Sequence, residues 1–194
     1  MLAHLIFLSI FLMAGSAILY ELLLASVLSY LLGATVLYFS LTIGVFLFAL
    51  GAGAWVSKYI VKNTLQRFLT LEAILGILGG GAVLFIFLVY SFLFERLGIL
   101  YESRGPVEAF LRSGGLEFTF QGLSFLYLFI IGVLVGIELP IFTRLVNESL
   151  ALKEALARVF FWDYLGSLAA SVLFPLLLLT YLGFLRTGFL VGIT

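Results

Sequence analysis

Five long apolar runs, separated by short polar stretches, constrain this chain more than any single motif in it. They extend from about Leu5 to Leu32, Ala34 to Val56, Phe68 to Phe94, Phe118 to Phe142 and Val159 to Leu182. A helix covers roughly 30 Å of hydrocarbon with about 20 such residues, so each run is long enough to span a bilayer. A water-soluble globule is excluded by composition. Only 10% of the 194 residues are charged, 64% are hydrophobic and the mean hydropathy is +1.29, which leaves too little polar surface to face water on all sides. The fold class that follows is all-α, a polytopic transmembrane helix bundle of five full spans forming a single domain over residues 1–194. A sixth apolar run begins after Arg186 and stops at Thr194. It reads as the start of a sixth helix, and the chain as a segment of a longer one.

The first run has no Lys/Arg-rich start and outlasts the ~7–15 residues of a signal-peptide core, so it reads as a span. Lys58, Lys62, Arg67, Arg144, Lys153 and Arg158 fall on one side of the bundle, and Arg96, Arg104, Arg112 and Arg186 on the other. The richer side, and with it the N-terminus, is expected to be cytoplasmic, in a multi-pass protein of the inner (plasma) membrane. Gly105 and Pro106 open a short stretch expected to form one or two helical turns in the interface, with Pro at the first position. Zero net charge argues against a nucleic-acid partner. Without cysteine, and with His4 as the sole histidine, neither a metal centre nor a cofactor site is expected.

Small residues point to close helix packing. Gly132 and Gly136 form one GxxxG pair, and Gly166 with Ala170 repeats the spacing. Gly44 and Gly51 share a face of the second run, while Gly79, Gly80 and Gly81 loosen the third. Pro140 and Pro175 interrupt the fourth and fifth runs and are expected to kink them, baring the carbonyls of Gly136 and Ser171.

The acids inside the apolar runs carry the functional information. Glu21, Glu72, Glu138 and Asp163 lie on four different runs, and none of the five contains a Lys or Arg. A charge at mid-membrane costs at least ~2.5–3.5 kcal/mol unless it is paired, protonated or faces a cavity. Two readings compete. In the first, Glu72, Glu138 and Asp163 pair at the membrane edge with Arg67, Arg144 and Arg158, Glu21 is protonated against Tyr20 or Tyr30, and the domain is a scaffold. In the second, the acids form a pocket for a cation, Glu21 being its deepest anchor, in the aromatic company of Tyr20, Tyr38, Trp162 and Tyr164. The tripeptides Tyr20-Glu21-Leu22 and Ile137-Glu138-Leu139 occupy comparable places and suggest an inverted repeat of spans one to three against four to six. No further convincing alignment of the two halves is expected.

Several motifs then occur in order: Gly15-Ser16-Ala17-Ile18-Leu19-Tyr20-Glu21, Leu32-Gly33, Phe46 through Gly53, Leu71-Glu72-Ala73, Gly136-Ile137-Glu138-Leu139-Pro140, Arg158 through Asp163-Tyr164-Leu165-Gly166, Phe174-Pro175 and Leu182-Gly183. Together they resemble the N-terminal transmembrane domain of membrane-bound spermidine synthase-like polyamine aminopropyltransferases. The resemblance implies a cytosolic synthase domain as partner and polyamines, putrescine or spermidine, as ligands. The family's catalytic residues have no positions in this chain, since no soluble stretch is long enough for a Rossmann-like sheet. The expected role is to anchor the synthase and to bind or pass polyamines at Glu21, Glu138, Asp163, Glu72, Tyr20 and Tyr164. A purely structural anchor is the alternative, and a stand-alone amine or cation transporter the third.

Orientation is testable. With cysteines at Asn63 and Ser103, an impermeant thiol reagent should label Ser103→Cys from outside intact cells, and labelling of Asn63→Cys from that side would overturn the assignment.

Overall fold

The computed structural model describes residues 2–60, 64–93, 106–147 and 151–193. Lys62, Asn63, Arg96, Ser103 and Arg104 lie outside this set. The described residues form helices: α1 (Leu2–Leu32), α2 (Thr35–Val56, extended by a 3-10 turn over Ser57–Tyr59), α3 (Thr64–Ser91), α4 (Pro106–Asn147), α5 (Leu152–Leu173) and α6 (Gly183–Ile193). Five helical stretches are long and apolar enough to cross a membrane: Ile6–Leu32, Thr35–Tyr59, Gln66–Ser91, Gly114–Asn147 and Leu152–Ile193. Apolar side chains surround these helices on all faces, as suits a helix that satisfies its own backbone in hydrocarbon. Two tight reversals need glycine, because a left-handed backbone at the end of a helix costs an L side chain strain. Gly33 (φ 78°) separates α1 from α2, and Gly183 (φ 71°) is the first residue of α6.

Three backbone-to-backbone seams set the packing. α1 lies parallel to α5: the Trp162 ring sits 6.2 Å from Phe7 and 6.5 Å from Phe11, Gly166 abuts the main chain of Phe11, and Gly15 faces Ala170. α2 lies parallel to α4, with Phe48 against Phe129 at 5.9 Å. There Gly53 meets the backbone of Val133 and Gly136, Gly136 meets that of Leu50, and a Cβ added to Gly132 would lie 2.6 Å from the Ala49 Cβ. α3 runs antiparallel to α6, its Gly76 and Gly80 against Gly192 and Gly188. Around these seams Leu23, Leu24, Leu28, Phe46, Ile86, Phe120 and Leu128 form a fully buried core.

Several sequence expectations need correction. The turn from Pro106 is not a separate interfacial helix; Pro106 does begin a helix, but it continues unbroken through Gly114 and Gly115 to Asn147, since glycine costs a helix only about 1 kcal/mol. Gly44 and Gly51 face open space rather than a neighbour. Gly79 does not loosen α3 but makes room for the Tyr20 ring, which any Cβ there would strike. Pro140 lies within the continuous α4. Pro175 does not kink an α-helix: it stands at the start of a π-helical segment, Phe174–Leu182, in which Thr180 Oγ1 donates to the Pro175 carbonyl at 2.8 Å. Its side chain is exposed.

The seams differ sharply from the open faces. Gly136→Leu should lower the melting temperature in detergent, because overpacking costs about 1–3 kcal/mol or more, whereas Gly44→Leu should leave the melting curve unchanged.

Candidate cation-binding site

All six helices contribute residues to the walls around Glu138. α4 contributes Val135, Gly136, Glu138 and Pro140 to the surrounding walls, one turn or two beyond the Gly132 contact with α2. α3 brings in Glu72 one turn beyond Phe68, whose ring packs on Phe142 at 4.9 Å. α5 brings in Asp163 and Tyr164 just before its glycine contact with α1.

Two cavities flank the Glu138 side chain. The first, about 340 Å³, is lined by Tyr20, Glu72, Gly76, Glu138 and the Val191–Ile193 end of α6. The second, about 480 Å³, is lined by Phe46, Gly136, Glu138, Pro140, Asp163 and Tyr164. Met13, Ala17, Val135 and Glu138 belong to both walls. Glu138 is only 6% exposed, and its Oε1, like Oε1 of Glu72, has no hydrogen-bond partner among the described residues. Glu72 and Asp163 both lie within electrostatic reach of Glu138. Pro140, lacking an N–H, offers none to the Gly136 carbonyl in the same wall. Tyr20 braces the first cavity: its hydroxyl donates to the Val191 carbonyl at 3.2 Å.

The edge pairing expected of a scaffold is absent. Among the described residues no ion pair joins Glu72 to Arg67, Glu138 to Arg144 or Asp163 to Arg158. Arg158 pairs instead with Glu154 at 2.5 Å, the i,i+4 partner on its own helix. Arg144 donates to the carbonyls of Ser57 and Ile60 at 3.0 and 2.7 Å.

The structure therefore brings together Tyr20, Glu72, Glu138, Asp163 and Tyr164, but not Glu21. Glu21 is buried at 9% exposure and lines neither cavity. Tyr30 is exposed and lies against Phe184, Tyr38 accepts a hydrogen bond from Gln121 at 2.8 Å, and Trp162 packs between Phe7 and Phe11. None of the three lines either cavity. Gly132 lies against Ala49 and Phe46, and Gly166 against the main chain of Phe11. Sequence reading missed the small and apolar wall residues Met13, Ala17 and Val135, which carry no chemical signature, and the α3–α6 seam, whose GxxxG spacing at Gly76/Gly80 and Gly188/Gly192 was available.

Comparison with known proteins places the chain. It is 38% identical over 188 residues to a polyamine aminopropyltransferase of Leptospira interrogans, covering 97% of this chain and 33% of that protein. Polyamine aminopropyltransferase 2 of Ralstonia nicotianae is 37% identical over 191 residues, again 97% and 33%. A polyamine aminopropyltransferase of Oceanobacillus iheyensis is 32% identical over 177 residues, 91% and 30%. The chain thus spans about a third of the length of the curated relatives it matches. No family model and no solved structure matches it.

A buried carboxylate oxygen without a partner destabilises by about 1–3 kcal/mol. Glu138→Leu should therefore raise the melting temperature, by roughly 2–4 °C for each kcal/mol in a chain of this size. A fall would mean that the carboxylate holds the helices together.

Proposed function

We propose that the chain, which spans about a third of the length of the polyamine aminopropyltransferases it is similar to, is the membrane-embedded part of such a protein, anchors its synthase domain at the inner membrane and binds polyamine cations at Glu138. One observation carries this reading. Glu138 sits between two cavities with Glu72 on one side and Asp163 on the other, and among the described residues no basic side chain pairs with any of the three. A buried carboxylate in that position gains most from a cation brought to it, because attraction strengthens where water is excluded. Putrescine and spermidine are flexible chains of ammonium groups. One ammonium meets Glu138 while a second reaches Glu72 in the first cavity or Asp163 in the second, and the rings of Tyr20 and Tyr164 supply cation–π faces worth about 0.5–2 kcal/mol each. The chain contributes binding and anchorage; aminopropyl transfer belongs to the rest of the protein.

Thermal shift tests the ligand. A species that binds only the folded state stabilises it by about 2.7 kcal/mol at a hundredfold excess over its Kd. Spermidine should raise the melting temperature saturably, more than a monoamine does, and Glu138→Gln should abolish the rise. An unsaturable or absent rise in the parent protein would leave a plain anchor.

A further inference from the structure

The three helices α1–α3 recur, upside down, as α4–α6. α1 and α2 form a tight hairpin, yet α1 lies parallel to α5 and α2 parallel to α4, so the second hairpin runs opposite to the first. Exchanging α1 with α4, α2 with α5 and α3 with α6 turns the α1–α5 seam into the α4–α2 seam, the two most extensive in the molecule, and maps the α3–α6 seam onto itself. The residues obey the same exchange. Gly15, Glu21, Ala49 and Gly53 recur at one constant spacing as Gly132, Glu138, Gly166 and Ala170. Gly76 and Gly80 recur, at a slightly shorter spacing, as Gly188 and Gly192, and the pairs Gly76–Gly192 and Gly80–Gly188 are those a two-fold axis through the α3–α6 crossing generates. In each unit a tyrosine of the first helix donates to a backbone carbonyl of the other unit's third helix: Tyr20 to Val191 at 3.2 Å and Tyr127 to Leu78 at 2.7 Å. Glu21, left outside the site above, is thus the two-fold counterpart of Glu138.

The scaffold is symmetric but its state is not. Glu138 lines both cavities and Glu21 neither. α1 packs on α3, while no comparable packing joins α4 to α6. The first unit is closed and the second open. A pseudo-symmetric scaffold has a second arrangement of similar energy, in which the units exchange these roles.

We propose that the domain is a two-state cation carrier: the arrangement described opens Glu138 toward one face of the membrane, and its inverse closes Glu138 and opens an equivalent pocket around Glu21 toward the other. The units rock about the α3–α6 glycine seam, where bare backbones slide without interlocked side chains. The nature of the cargo, an amine cation, rests on the function proposed above; the two states do not.

The chain has no cysteine, so single cysteines report access directly. Ser167 lines the open cavity. Ala25 is fully buried, one turn from Glu21, and is the counterpart of Phe142, itself a cavity residue. In proteoliposomes of fixed orientation, an impermeant thiol reagent should label Ser167→Cys from one side and Ala25→Cys from the opposite side only. A minor state populated at 0.1–10% makes the second reaction about 10- to 1,000-fold slower. Ala25→Cys that stays unlabelled from both sides, yet reacts fully after unfolding in detergent, overturns the proposal; so does labelling of both positions from the same side. Counterflow of radiolabelled spermidine into the same vesicles supports the cargo. Opposite-sided labelling without counterflow would retain the two states and overturn the polyamine reading instead.

Discussion

Helix backbones lying directly on one another hold this molecule together, and everything else in it is arranged around those contacts. In hydrocarbon two apolar surfaces gain little by leaving the solvent, so helices associate through close van der Waals contact, which glycine and alanine permit. Gly53 and Gly136 in one seam, Gly166 in another, and Gly76 and Gly192 in the third bring main chains close enough that a methyl group would collide with a carbonyl or Cα. Large side chains are displaced to the flanks, where Phe46, Phe120 and Leu128 fill the core. Because the seams run lengthwise, the space between neighbouring seams is left for the two cavities beside Glu138.

The acids follow from that geometry. A carboxylate buried among apolar helices is costly, and among the described residues Oε1 of Glu138 and of Glu72 has neither a basic neighbour nor a local donor. Arg144 and Arg158, the nearest candidates by sequence, are engaged with α2 carbonyls and with Glu154. The proposed function gives these acids a positively charged ligand as their partner.

Hydrophobicity and residue spacing made much of this legible in advance. The long apolar runs announced the helices because nothing else with that composition satisfies its backbone, and Gly132, Gly136 and Gly166 announced seams by their spacing. Glu72, Glu138 and Asp163 were recognisable as unbalanced, but which acids share a cavity depends on helix rotation and register, quantities absent from a chain hydrophobic on every face. For that reason Glu21 read as the deepest member of the site, although it turns away from both cavities. The internal repeat was hidden for another reason. What recurs is the position of small residues and one acid, not the bulky side chains between them, so Tyr20-Glu21-Leu22 and Ile137-Glu138-Leu139 looked like an isolated coincidence until the contacts matched. Pro175 misled because a proline can be absorbed by widening the helix as well as by bending it.

The parallel pairing of α2 with α4 has an electrical consequence. Aligned peptide dipoles leave about half a negative charge at each helix C-terminus, and parallel neighbours bring two such ends to one place. Arg144 in the last turn of α4 reaches across to the Ser57 and Ile60 carbonyls at the end of α2, and Lys58 sits there too, its ammonium 3.8 Å from the Trp55 ring centroid. These cations neutralise a macrodipole that the fold itself creates. Part of the lysine and arginine excess on this side of the bundle is therefore set by the direction in which its helices run, and would persist there whichever leaflet it faced.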